Sequence, residues 1–99
     1  MFIILLKFSE KKAHAAKYMP DHKAWLQKGF DDGVFLLSGS IKPGIGGGIL
    51  AFNTTHEDLL VRINQDPFVS ESIVSAEVIE INSSKANQSL KFLLNAERN

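Results

Sequence analysis

Strand-length apolar runs and segments of helical spacing alternate along this chain in a single order, and that order leaves few ways to fold it. Phe2 to Phe8 is apolar and partly β-branched, which predicts a buried first strand. Residues 11–32 then carry Ala15, Met19, His22, Leu26 and Phe30 on one stripe at steps of three and four, as an amphipathic helix requires. Gly29 weakens the end of that helix and Gly33 suits its C-terminal cap. Pro20 calls for either a kink or a helix that begins at Pro20 as its first residue. Val34 to Ile41 reads as a second strand, Lys42 to Gly48 as a turn, and Ile49 to Phe52 as the returning strand of a hairpin. Thr54 and Glu57 match a capping box for a second helix, with Leu59, Leu60 and Ile63 as its apolar face and Pro67 as its stop. Ile73 to Ile81 supplies a fourth strand.

The order β-α-β-β-α-β predicts an α+β, ferredoxin-like domain with a four-stranded antiparallel sheet and both helices on one face. Residues 1–82 account for it. Residues 83–99 form a polar C-terminal tail with room for a short helix around Leu90, Leu93 and Leu94. The second face of the sheet has no cover within the chain, so a homodimer through that face, a dimeric α/β barrel, is expected. With 99 residues the chain supports one domain, and a domain of that size gains from the extra core an oligomer provides.

Eleven basic residues balance eleven acidic ones, and the loose group Lys7, Lys11, Lys12 and Lys17 reads as a solvated helix start, so nucleic acid is not an expected partner. The absence of cysteine removes disulfides, thiolate nucleophiles and cysteine-ligated metals. The opening apolar run is too short for a membrane span or a signal peptide, and the expected location is the cytoplasm.

Topology brings distant residues together. If the first strand points up, the first half of helix one, the 42–48 turn and Asp66 all lie at the upper end, where a pocket between helix and sheet opens. His22 occupies the apolar stripe where a leucine would be ordinary. A group titrating near neutrality there can serve as general acid or base if a carboxylate orients it, and the alternative is a satisfied core histidine. Asp66, before Pro67, suits the cap of a short helical turn, a role compatible with pairing to His22. The run Gly44-Ile45-Gly46-Gly47-Gly48 precedes a strand and lacks Gly-Lys-Ser/Thr, so it reads as a hairpin loop at a pocket edge rather than a phosphate loop. His14 and His56 fall on polar helix starts, no His-x₃-His pair exists for zinc, and no Gly-x-Ser-x-Gly elbow supports a serine hydrolase. Trp25 reads as a core or dimer contact.

Three segments carry a family resemblance. Pro20-Asp21-His22-Lys23-Ala24-Trp25-Leu26 resembles the Pro-x-His-x-x-x-Leu segment of YCII-related proteins. Gly33-Val34-Phe35-Leu36-Leu37-Ser38-Gly39 is similar to their Gly-x-Leu-x-x-x-Gly strand, and Asp66-Pro67-Phe68-Val69 to their Asp-Pro-Phe/Tyr-Val signature. The likeness runs from about Phe2 to Ile81. It implies a dimeric α/β barrel with an active site on a histidine and an aspartate, which here are His22 and Asp66. Families of similar fold include muconolactone isomerase-like and dehydrochlorinase-like proteins of small cyclic metabolites. Two positions depart: Met19 stands where arginine is frequent, removing a cation from the pocket mouth, and Ser40 where proline often follows Gly39.

The expected function is that of a small enzyme needing no cofactor. His22 would exchange protons with a small organic metabolite, supported by Asp66, in an isomerisation, elimination or other proton transfer. A non-catalytic ligand-binding or accessory dimer using the same pocket is the alternative, since ferredoxin-like domains host both. A haem-using relative has less support, because no second histidine is placed to help.

Overall fold

The computed structural model describes residues 1–97; the final two residues of the expected tail, 98–99, lie outside the described residues. Strand β1 (Phe2–Phe8) leads through a 3₁₀ turn (Lys12–His14) into helix α1 (Ala15–Asp31), followed by β2 (Phe35–Ile41) and β3 (Gly46–Ala51). Helix α2 (His56–Asn64), the one-turn helix α3 (Pro67–Ser70) and β4 (Val74–Glu80) complete the domain. Beyond it come a second 3₁₀ turn (Gln88–Leu90) and the short helix α4 (Phe92–Glu97). The sheet order is β2-β3-β1-β4 with every pairing antiparallel, the ferredoxin-like arrangement expected from the element order. No helix is long and apolar enough to cross a membrane among the described residues.

The period of two along each strand decides which side chains meet the helices. Phe2, Ile4 and Leu6 of β1 share a face with Ile49 and Ala51 of β3 and with Val74 of β4, and all are buried. Trp25 of α1, Leu59 and Ile63 of α2 and Phe68 of α3 close that core from the helix side. The opposite face carries Ile3, Leu5, Leu37, Leu50 and Ile79, with Leu37 57% and Ile79 41% exposed. The tail returns to this end of the hairpin, where the Phe92 ring meets Phe52 edge-on at 5.4 Å and Leu93 is buried.

Several boundaries differ from the sequence expectation, each for a local reason. Pro20 lies inside α1 rather than at its start, on the exposed side, where the Ala16 carbonyl that loses its donor can be solvated. The cap of α2 is Thr55, not Thr54: its hydroxyl accepts from the Asp58 N–H at 3.1 Å, one residue along from the expected box. Leu60 points away from the core. Gly46, Gly47 and Gly48 belong to β3 and pair with Lys7, Leu6 and Leu5, so the turn is shorter than the glycine run suggested. Their lack of side chains is no bar to the ladder, because both neighbouring strands supply its hydrogen bonds.

The end of α1 is closed by two backbone bonds, Gly33 N–H to the Phe30 carbonyl at 3.0 Å and Val34 N–H to the Gly29 carbonyl at 3.0 Å, a Schellman cap with Gly33 at φ +75°. Asp32 at this cap accepts from Lys28 at 3.1 Å and from Arg62 of α2 at 3.0 Å. These hydrogen bonds, that of Lys28 foremost, hold its carboxyl below the ordinary aspartate range. Gly29 is in the helix for a different reason from the one its propensity implies: it is buried, and a Cβ there would collide with the ring of Phe35. Gly29→Ala gains about 1 kcal/mol of helix propensity but overpacks this contact at a cost of about 1–3 kcal/mol. Urea unfolding is therefore expected to give a less stable protein, and a midpoint equal to or above wild type would refute the close approach.

Candidate active site

The helix stripe and the strand alternation bring His22 and Asp66 together at one end of the domain. The indole N–H of Trp25, three residues beyond His22, donates to the Arg62 carbonyl at 2.8 Å, four residues before Asp66. That bond pins α1 against the end of α2, so the register of the two helices is set one turn from the pair. Asp66 then leaves the helix in an extended conformation, caps α3 through the Phe68 N–H at 3.0 Å, and precedes Pro67 at the first helical position. The far end of α3 is tied to the sheet by Ile73 N–H to the Phe68 carbonyl and by the Ser9 hydroxyl to the Ser72 carbonyl.

Asp66 is fully buried, and its Oδ1 lies 2.8 Å from Nδ1 of His22. A carboxylate only accepts, so Nδ1 carries the proton and Nε2 is the nitrogen without a protein partner among the described residues. The imidazole stacks on the Phe68 ring at 4.1 Å and 5° between planes, and on Trp25 at 5.8 Å and 27°. Phe68 thus holds both members: its N–H meets the carboxylate and its ring meets the imidazole. Asp66 Oδ2 is buried with no hydrogen-bond partner among the described residues.

Beside His22, which is 12% exposed, a cavity of about 330 Å³ opens between α1 and the upper half of the sheet. Met19, His22, Lys23 and Leu26 line it from α1, Phe68 from α3, and Phe8 and Val74 from the end of the sheet. The space exists because Gly47, opposite Leu6 on the helix side, has no side chain to fill it. His22 reaches this cavity; Asp66 does not line it but stands behind the imidazole, so the shared cavity expected for the pair belongs to the histidine alone. Its edge is formed by the glycine-rich hairpin, whose Gly44 carbonyl accepts from Lys12 at 3.2 Å. His14 and His56 are exposed and do not line it. Sequence reading passed over Ser38 and Ser40, which also line the cavity. Their signal was the strand period: both share the helix-side face with Ile49 and Gly47. No group of three or more His, Cys, Asp or Glu that could hold a metal ion occurs among the described residues.

No family model and no curated protein matches this chain. Among solved structures it is similar to 5-chloro-2-hydroxyhydroquinone dehydrochlorinase from Burkholderia phenoliruptrix AC1100, in complex with 2,5-dihydroxybenzoquinone. The TM-score is 0.70 over 84% of this chain and 94% of that one, at 14% identity. At that identity the likeness is one of fold, and the fold of this chain is the ferredoxin-like α+β fold.

The tautomer is directly measurable. In wild type, ¹⁵N NMR of the neutral His22 ring should report Nδ1 protonated and Nε2 bare, the reverse of the form free imidazoles prefer. Asp66→Ala removes the acceptor and should restore the Nε2–H form, while loss of the cap costs about 1 kcal/mol of stability. An unchanged tautomer would mean that Asp66 does not orient the ring.

Proposed function

We propose that this chain is a YCII-related enzyme that moves a proton on a small organic metabolite, with His22 as general acid/base and Asp66 as its positioning partner. The observation that carries the reading is the Nδ1–Oδ1 bond of 2.8 Å, which leaves Nε2 as the free ring nitrogen of a residue lining the cavity. A histidine placed only to fill the core has no need of a fully buried carboxylate. A carboxylate placed only to cap a one-turn helix has no need of burial either, since Ser or Asn caps as well.

In the proposed step a substrate C–H bond breaks, the proton passes to Nε2, and the electron pair stays on the substrate as an enolate-like anion. The imidazolium formed is stabilised by Asp66 through Nδ1–H. Return of the proton to another carbon completes an isomerisation; expulsion of a leaving group completes an elimination. The likeness in fold to a dehydrochlorinase supports the second outcome as a starting point for assays. The mostly apolar, compact cavity suits a small cyclic substrate.

The test is turnover of small oxygenated rings, beginning with 5-chloro-2-hydroxyhydroquinone, followed with deuterium uptake from D₂O. His22→Gln should lower kcat/KM by about 10²–10⁴-fold, as loss of a general base does, while circular dichroism shows the domain still folded. Retained turnover in that variant would remove His22 from the chemistry.

The same reading includes a cytoplasmic homodimer formed through the open sheet face. Leu37, Ile79 and their neighbours Ile3, Leu5 and Leu50 support it, being an apolar surface that water penalises. Sedimentation at micromolar concentration is expected to give a dimer, whose interface should exceed about 1,000 Å². Leu37→Glu should shift it to monomer, and a monomeric wild type would count against the barrel.

A further inference from the structure

We propose that the cavity beside His22 selects organic anions, with Lys23 as the cation and the hydroxyls of Ser38 and Ser40 as hydrogen-bond donors to the ligand's charged oxygen. The inference rests on the reading of this cavity as the ligand site and names what that site recognises.

Three observations carry it. The first is the charge of the lining: Lys23 is its only permanently charged side chain, and no aspartate or glutamate is among the residues that form it. Asp66, the nearest buried carboxylate, is behind the imidazole, and its Oδ1 already accepts two N–H groups. The second is that Lys23 is free to act. It stands four residues after Met19 on the cavity-lining stripe of α1 and makes no ion pair or hydrogen bond among the described residues, unlike Lys28 and Lys12.

The third is the placement of the hydroxyls. Ser38 and Ser40 are two apart on β2 and face the helix side through their pairing with Ile49 and Gly47. Neither is covered by α1, and neither hydroxyl has a hydrogen-bond partner among the described residues. An apolar residue at either position would have extended the core. Two unengaged hydroxyls from β2 and an exposed lysine from α1, all among the lining residues, match a carboxylate, phenolate or enolate oxygen, and the remaining lining suits an apolar ring. A hydroxyl donates to such an oxygen more strongly than to a neutral one.

Benzoate and its neutral isostere benzamide separate charge from shape. NMR titration of the full chain reads binding at the His22 ring signals, which report the cavity itself. The expected result is that benzoate perturbs His22 and binds about tenfold more tightly than benzamide. Lys23→Met should lose that tenfold preference and Lys23→Arg should keep it, both folding normally because the side chain is exposed. Ser38→Ala/Ser40→Ala should weaken benzoate more than benzamide, whose neutral oxygen accepts less strongly. If benzamide binds as well as benzoate, or Lys23→Met binds benzoate as wild type does, anion selection is wrong and the cavity survives as a neutral-ligand site. If neither compound moves the His22 signals, the cavity is not a ligand site and both readings fall together.

Discussion

A buried carboxylate must be met by donors, and the local architecture around Asp66 is arranged to supply them. Asp66 is closed off from bulk solvent, and its Oδ1 takes the Phe68 N–H and the His22 Nδ1–H. The first bond fixes the turn that begins α3. The second fixes the tautomer and tilt of a side chain on another helix. Because the two share one oxygen atom, the short helix and the imidazole move as a unit, and the Phe68 ring stacked on the histidine ties them again. Trp25 docks α1 on α2 nearby and sets the distance over which this can happen. The polar centre is therefore held by packing on three sides and free on the fourth, where the cavity is.

The cavity arises from what the chain leaves out. Gly47 pairs with Leu6 on the helix side of the sheet, where a larger residue would fill the space under α1. Gly29, by contrast, has no part in the cavity: it lets α1 sit close on Phe35 at the other end of the helix. The two glycines have opposite effects, one allowing a close contact between helix and sheet and one leaving space open beside His22.

The fold alone assigns no chemistry. A ferredoxin-like sheet with two covering helices hosts catalysts and binding modules alike. The functional reading rests on a small set of groups: one ring nitrogen without a protein partner among the described residues, a carboxylate behind it, and Ser38, Ser40 and Lys23 in the cavity lining. The open sheet face is a separate matter. Its apolar residues answer to solvation, not to chemistry, and they set how copies of the chain associate under the proposed dimer.

The element order was legible because hydrophobic period is a local property. Phe2 to Phe8, the α1 stripe and the β4 run each declare themselves within a dozen residues, and the antiparallel order of the strands follows from their connections. His22 stood out as a titratable group on an apolar stripe, and Asp66 as an aspartate before proline. The strand role of Gly46 to Gly48 and the packing role of Gly29 were not legible, since each depends on a neighbour from elsewhere in the chain, while the cap at Thr55 was missed by one residue because Thr54 and Thr55 offer the same local signal. The same holds at the site. That Asp66 lies behind the imidazole instead of beside it, that Nε2 is left bare, and that Ser38, Ser40 and Lys23 join one cavity follow from how α1 crosses the sheet. Periodicity tells which face a residue is on; only packing in three dimensions decides what it meets there.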